Sequence, residues 1–431
     1  MTTSGTNPDN AKNSDNATGT GTAKNPDDIV LCAPLRTPVG RYGGAFTEVP
    51  VQDLASTVVR EIVARTGISG DDVDDVILGQ ANPNGSAPAL GRIVALDSGL
   101  GESVPGMQLD RRCGAGLQAV ATAAAHIACG AAELIIAGGA ESMSRTEYTV
   151  DSKVRWGAKG GDMTLRDRLS ESRATAGGKD HPIPGGMIET AENLRREYSI
   201  TREAQDELSA ESHRRAVAAR DGGVFTEEIV PVAVPGKRRK DPAIMIAADE
   251  HPRADTTVEK LSALRPVMGR QDDEATVTAG NASGQNDGAA AMIVTTRAKA
   301  AELGLEPMAR LAGWAVAGVA PETMGIGPAP ATAKALGRLG LTLDDMDLIE
   351  LNEAFAAQAL AVLSEWGVAA DDPRLNTHGS GISLGHPVGA TGARMLVTLC
   401  HEMARRDDAR LALATMCIGG GQGLAAVLEK E

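Results

Sequence analysis

One phrase occurs twice in this chain, and that repetition limits what it can fold into. ARTGISGDDVDDVILGQ (from Ala64) returns as GRLGLTLDDMDLIELNE (from Gly337), with Gly67 matching Gly340 and Asp74 matching Asp347, each 273 positions apart. The same spacing carries Cys113, in CGAG, onto His386, in HPVG, and the final glycines Gly116 and Gly389 also match. Each of these sites precedes a helix-compatible run and then an apolar strand, ELIIAGG in one half and RLALATMC in the other. A third echo pairs DGAAAMIVTT with GQGLAAVLEK. We read an internally duplicated α/β unit. Strands alternating with helices favour mostly parallel sheets covered by helices, with ligands outside the carboxyl ends of the strands. Cys113 and His386 are then pseudo-symmetry mates that meet between the halves.

The remaining chain divides around this duplication. Residues 1–27 are polar and nearly free of large apolar side chains, so they cannot offset the cost of ordering and read as a disordered tail. Residues 28–148 and 276–296 form the first half, and 297–431 the second. The span 149–275 has no counterpart and is charged and broken by Gly and Pro, so it reads as an inserted subdomain. A net charge of −15 disfavours a general nucleic-acid or anionic-membrane binder, although a local cationic patch could still hold an anionic ligand. No apolar run reaches membrane-spanning length and no secretory or mitochondrial leader is present in the sequence, so a cytoplasmic protein is expected. The five cysteines include no CxxC pair, so neither a metal site nor a disulfide framework is expected.

Two segments carry candidate chemistry. In NTHGSGISLGHPVGATGAR, His386 lies between Gly385 and Pro387, in a run whose glycines permit positive φ and whose proline fixes the exit. Such a histidine is either a rigidly held imidazole at a helix mouth or a satisfied buried one. Cys113, in LDRRCGAGLQAV, precedes a helix-favouring segment beside Arg111 and Arg112, and either packs as a small hydrophobe or is an activated nucleophile with a lowered pKa. Its pairing with a histidine favours the second reading. Cys417, in ATMCIGGGQG, ends a strand in glycines whose N–H groups suit a developing oxyanion; the alternative is a core cysteine before a turn. Asn352 and Glu353, in LIELNEAFAAQ, end a strand and open a helix, where Asn also serves as a cap.

LDRRCGAGLQAV, GGAESMS, TAGNASGQNDGAA, LNEAFAAQ, SLGHPVGATG and CIGGGQG, in this order, resemble the motifs of the thiolases. That resemblance runs from about Ile29 to the end. It implies a duplicated five-layer αβαβα fold with an inserted loop domain, and Claisen-type acyl transfer between coenzyme A thioesters without metal or redox cofactor. It further implies that Cys113 is acylated, that His386 activates it, and that Cys417 moves the α-proton. One oxyanion hole would combine His386 with a water on Asn352, the other the N–H groups of Cys113 and Gly419. By the same resemblance Met187, Ser283, Met324, Ala354 and Phe355 contact substrate, and RWGAKGGDM joins dimers into tetramers, making a homodimer or homotetramer. Arg238, in the run KRRK (Lys237–Lys240), is a candidate for the CoA phosphates, or belongs to a solvated charge run. Asp110, Arg112, HGSGIS and Gly186 depart from the usual pattern and leave the acyl preference open. A carrier-protein condensing enzyme is disfavoured by Cys417, and an inactive acyl-CoA-binding protein by retention of the whole set.

Overall fold

The computed structural model describes residues 24–157, 160–236, 238 and 240–431. The duplicated phrase has a direct structural meaning. Gly67 and Gly340 each end a helix in the left-handed conformation, at φ of 74° and 68°. That is the conformation a side chain resists and glycine accepts. Ser69 with Asp72, and Thr342 with Asp345, then build matching capping boxes on short 3₁₀ turns. Asp74 accepts hydrogen bonds from the backbone of Glu133 and Leu134, and Asp347 does the same for Arg410 and Leu411. Each aspartate thus ties the start of one strand to the start of its neighbour.

The main strands are β1 (Ile29–Arg36), β2 (Asp75–Gly79), β3 (Gly106–Leu109), β4 (Leu134–Ser142), β5 (Asn286–Thr296), β6 (Pro307–Gly318), β7 (Leu348–Leu351), β8 (Leu411–Ile418) and β9 (Gln422–Lys430). Together with Gly40–Arg41 beside β5 they form one ten-stranded sheet, in the order β7-β8-β9-β6-β1-β5-β4-β2-β3, whose halves join through β1 and β6. The mostly parallel sheet expected from strand–helix alternation is not found. Among the described strands of this sheet only β2 with β3, β2 with β4, and β7 with β8 run parallel; the remaining pairings are antiparallel. The reason is local: β8 and β9 are joined by a glycine turn into a hairpin, and β5 returns beside β4 after a long excursion rather than a helical crossover.

Five layers follow from where the apolar faces go. Helix α1 (Val51–Thr66) covers the outer face of the first half, burying Leu54, Val58, Val59 and Ile62. Helices α2 (Pro328–Leu339) and α3 (Ala356–Trp366) cover the outer face of the second. The middle layer is a pair of helices, Ala115–Ala128 and Val388–Arg405, sharing one core with strands of both halves. They approach through glycine. A Cβ on Gly116 would lie 2.8 Å from the Gly389 carbonyl oxygen, and one on Gly139 of β4 would lie 2.1 Å from it. Gly139→Ala therefore forces backbone apart at the crossing. We expect a loss of about 3 kcal/mol, the upper part of the usual overpacking range, read as a melting temperature lower by several degrees.

The chain leaves the sheet after Ser142 and returns at Asn286, a longer excursion at both ends than 149–275. It is fastened to the core by Arg36, which is fully buried and bonded to Glu228 at 2.6 Å and to Asp249 at 2.7 and 3.0 Å. Removing one partner of such a set strands a buried charge. The tail boundary needs correction. Residues 1–23 lie outside the described residues, but 24–27 are docked. Lys24 pairs with Glu431, the Asn25 carbonyl accepts from Arg297, and the Pro26 carbonyl accepts from the Ala298 amide. Ala158 and Lys159 of RWGAKGGDM, and Lys237 and Arg239 of KRRK, also lie outside the described residues. No helix among the described residues is long and apolar enough to cross a membrane.

Candidate active site

The two pseudo-symmetry mates sit at the openings of the two central helices. Cys113 lies in a 3₁₀ turn, Arg112–Gly114, that runs into the helix from Ala115. Arg112 takes a positive φ of 50°, an uncommon state for a long side chain. The Asp110 carboxylate holds it there by accepting the Arg112 amide at 2.6 Å, and Arg112 donates to the Ser172 carbonyl at 2.7 Å. The two departures at Asp110 and Arg112 thus act together to set the turn that carries the thiol.

His386 is fixed from three sides. Gly385 takes φ of 93°, and a Cβ there would meet the Asn286 side chain at 2.7 Å. The His386 amide donates to Asn286 Oδ1 at 2.9 Å, and Nδ1 lies 2.6 Å from the Thr391 hydroxyl. That hydroxyl donates to the Pro387 carbonyl at 3.0 Å, so it accepts from Nδ1–H. The proton therefore stays on Nδ1, and Nε2 keeps its lone pair, with no partner among the described residues, in the wall of the cavity. Burial, aided by the charges of Arg394 and Arg173, lowers the His386 pKa to about 3, so the ring is neutral.

Cys113, His386 and Gly419 face one cavity of about 580 Å³, together with Met187, Ser283, Met324, Ala354 and Phe355. Cys417 lies just behind it, fully buried at the end of β8 in an apolar cluster with Met187, Met324, Ala354 and Phe355. Asn352 does not line the cavity; it is fully buried, with neither side-chain atom partnered among the described residues. Capping is not its role, because the following helix is entered from Phe355. Arg238 is not brought to the cavity. It is exposed in the connection between the strands Val232–Val234 and Ile244–Ile246, with its amide on Asp241.

The lowered thiol pKa expected from the helix start and the arginines is overturned. Burial pushes the Cys113 thiol up, outweighing the Gly419 N–H and the Arg112 charge that favour the thiolate. Burial, and then proximity to Cys113, also push the Cys417 thiol far above its ordinary range. The resting pair is thus neutral thiol and neutral imidazole. Alkylation of Cys113 by iodoacetamide should then keep accelerating with pH beyond about 8.5, the ordinary thiol value, because the raised pKa delays thiolate formation. Peptide mass spectrometry across pH 6–10 would measure this; a plateau below pH 7.5 would show a pre-formed thiolate–imidazolium pair instead.

Some site residues escaped the sequence reading. Thr391 and Asn286, which orient His386, were legible only as polar neighbours within motifs. Glu141, buried under the start of the histidine's helix, accepts from the amides of Ala81 and Gly389 at 2.9 and 3.0 Å, and burial raises its pKa to about 7. Arg173 reaches the cavity from a stretch with no distinguishing pattern.

Two family models match the chain, the thiolase N-terminal domain over residues 29–298 and the thiolase C-terminal domain over 305–430. The chain belongs to the thiolase family. Its sequence is 46% identical to the beta-ketothiolase BktB of Cupriavidus necator over 94% of this thiolase and 99% of the relative. It is likewise 46% identical to an acetyl-CoA acetyltransferase of Pseudomonas aeruginosa, over 94% and 100%. The crystal structure of the Bacillus anthracis acetyl-CoA acetyltransferase superposes with a TM-score of 0.88 at 43% identity, covering 94% of this thiolase and 99% of that chain. The resemblance read from six motifs, and the thiolase fold it implied, are borne out.

Proposed function

We propose that this thiolase cleaves 3-ketoacyl-CoA with coenzyme A, and condenses two acetyl-CoA molecules in reverse, through an acyl group on Cys113. The observation that carries this reading is the convergence of a nucleophilic thiol, an unpartnered His386 Nε2 and the Gly419 amide on one cavity, with a second thiol directly behind it. In thiolysis His386 Nε2 takes the Cys113 proton as sulfur attacks the C3 carbonyl. The N–H groups of Cys113 and Gly419 hold the C3 oxyanion, while the Nε2–H so formed and a water bound to Asn352 hold the thioester oxygen of the acetyl-CoA enolate as it develops. The C2–C3 bond breaks, Cys417 gives its proton to C2, and acetyl-CoA departs. CoA then gives its thiol proton to the Cys417 thiolate and attacks the acyl-enzyme, whose oxyanion is again held by the N–H groups of Cys113 and Gly419; the Cys113–acyl bond breaks and the His386 Nε2–H returns its proton to the Cys113 sulfur.

Burial suits Cys417 to this role. A thiol with a strongly raised pKa stays protonated until a carbanion, a far stronger base, develops beside it. Met187, Ser283, Met324, Ala354 and Phe355 contact the acyl group and the pantetheine arm. Neither half-reaction calls for a metal or redox cofactor. We further propose a cytoplasmic homodimer or homotetramer; the exposed side chains of Tyr148, Trp156, Met163 and Leu165 in the excursion support association. The test is the loss of acetoacetyl-CoA enolate absorbance on adding CoA, with an acetyl increment on the intact protein. A purified protein that does neither would overturn the reading.

A further inference from the structure

Glu141 is a carboxylate that the mechanism leaves without a task. It lies near the end of β4, fully buried, and turns its oxygens to backbone amides. Oε2 accepts from Ala81 at 2.9 Å and from Gly389 at 3.0 Å, and Oε1 accepts from Asn82 at 3.3 Å. No lysine, arginine or histidine side chain pairs with it among the described residues; its ionised form is favoured by those amides and by the Asn82 side chain.

The place is a junction. Ala81 and Asn82 are the stretch of cavity wall that follows β2, and Gly389 is the second residue of the histidine's helix. A Cβ on Gly389 would lie 2.8 Å from the Gln80 Cα and 2.9 Å from Glu141 Oε2. One on Gly79 would lie 2.3 Å from the Ala115 carbonyl carbon, at the start of the nucleophile's helix. Backbone from β2, β4 and both central helices therefore meets around this one carboxylate. An anion suits the spot, because three N–H dipoles converge on it and one comes from the positive end of an 18-residue helix. An amide of the same shape serves less well, since it offers one oxygen and sets an NH2 against an N–H.

The Glu141 charge also reaches the nucleophile. Burial chiefly, and that charge in addition, push the Cys113 thiol up. The charged and titratable groups around Cys113 are Arg112 on its own turn, Arg173 of the helix Arg168–Ala174, Cys417, His386 and Glu141. Asp110, on the same turn, is exposed and accepts the Arg112 amide. With Cys417 and His386 neutral, Glu141 is the buried anion of this set. A thiolate formed against it is the more nucleophilic for its raised pKa.

We propose that Glu141 is a positioning residue for acyl transfer: its carboxylate ties the opening of the histidine's helix to the Ala81–Asn82 wall beside the Cys113 turn, and its charge keeps the thiol proton on sulfur until His386 takes it. This rests on the thiolase reading. It gives the reaction an acid limit that His386 does not. Burial raises the Glu141 pKa from the ordinary carboxylate range to about 7. The ionised form, and the rate that depends on it, is therefore present above about pH 7 and is lost as pH falls through that value.

The experiment measures exchange of labelled CoA into acetyl-CoA, and alkylation of Cys113 by iodoacetamide, on wild type, Glu141→Gln and Glu141→Asp between about pH 5.5 and 9. For wild type, kcat/KM for exchange should fall on the acid side with an apparent pKa of about 7. Glu141→Gln should flatten that limb and lower kcat by about 10- to 100-fold near pH 8, with KM for acetyl-CoA nearly unchanged. The same variant should be alkylated about threefold faster near pH 8, because the thiol loses an opposing charge. Glu141→Asp keeps the charge and should retain the wild-type alkylation profile and part of kcat. A merely structural carboxylate would lower exchange and alkylation together; that result, or a Glu141→Gln enzyme with wild-type exchange, would overturn the proposal. If Glu141→Gln does not fold, the wild-type limb decides, and exchange that stays flat from about pH 5.5 to 8 overturns it. A wild type that exchanges no label sinks the thiolase reading itself, whereas exchange without the limb sinks only the role of Glu141.

Discussion

Cys417→Ser is expected to keep acquiring an acetyl group from acetyl-CoA while nearly losing thiolysis and condensation. Acylation of Cys113 breaks no C–H or C–C bond, so it needs the His386 base and the Gly419 amide but no proton at carbon. The thiol of Cys417 is fully buried in the cluster with Met187, Met324, Ala354 and Phe355, close enough to Cys113 to feel its charge. Replacing sulfur with a less acidic hydroxyl there should slow the carbon chemistry by ~10²–10⁴-fold, the usual contribution of a positioned acid or base. Cys113→Ala should lose both activities. Intact-protein mass after mixing with acetyl-CoA, beside a thiolysis assay, distinguishes the variants. If Cys113→Ala gains the acetyl mass and Cys417→Ser does not, the roles are reversed.

His386→Ala should behave differently, losing acetyl exchange between CoA molecules as well as thiolysis, each by ~10²–10⁴-fold. The raised Cys113 pKa makes the thiol dependent on a base at neutral pH, and Nε2 is the unpartnered base that faces the same cavity. Because the imidazole pKa is near 3, protonation of His386 should not inactivate the enzyme between pH 5 and 7. The sign is set by burial: desolvation disfavours the imidazolium, so the base form persists well below the ordinary histidine value of about 6.5. Thr391→Val should cost much less, about 10-fold. It frees the Nδ1 proton to choose the other tautomer but leaves the ring held by Asn286 through the backbone. Exchange of labelled CoA into acetyl-CoA measures all three. A His386→Ala enzyme with wild-type exchange would show that another group deprotonates Cys113.

Much of this site is legible in one dimension because the duplication puts its parts in register. Cys113 and His386 share an offset, and each must open a central helix, because Gly116 and Gly389 allow those helices to touch. The glycines around Cys417 and His386 are readable for the same reason, since close approach and positive φ admit little else. Asn352 stood out in its motif, but only burial with two unpartnered atoms separates it from a helix cap. The strand directions were not legible. Alternation of strands and helices leaves open whether neighbours in sequence are neighbours in the sheet, and the β8–β9 hairpin makes the sheet mixed.

Periodicity, glycine positions and chemistry carried by single side chains sufficed for the duplicated α/β architecture, the excursion from the first half, and the candidate thiols and histidine. Tertiary structure alone decided the electrostatics. Whether Cys113 is a thiolate depends on how much water the fold removes, and desolvation outweighs the adjacent Arg112 charge and the Gly419 amide that sequence position favoured. It also decided which arginines matter. Arg238 stands in a conspicuous basic run and remains in solvent, whereas Arg173, in an unremarkable stretch, lines the cavity that Cys113 faces. A charge acquires its meaning from the surface it is pressed against, and that is a property of the packed chain.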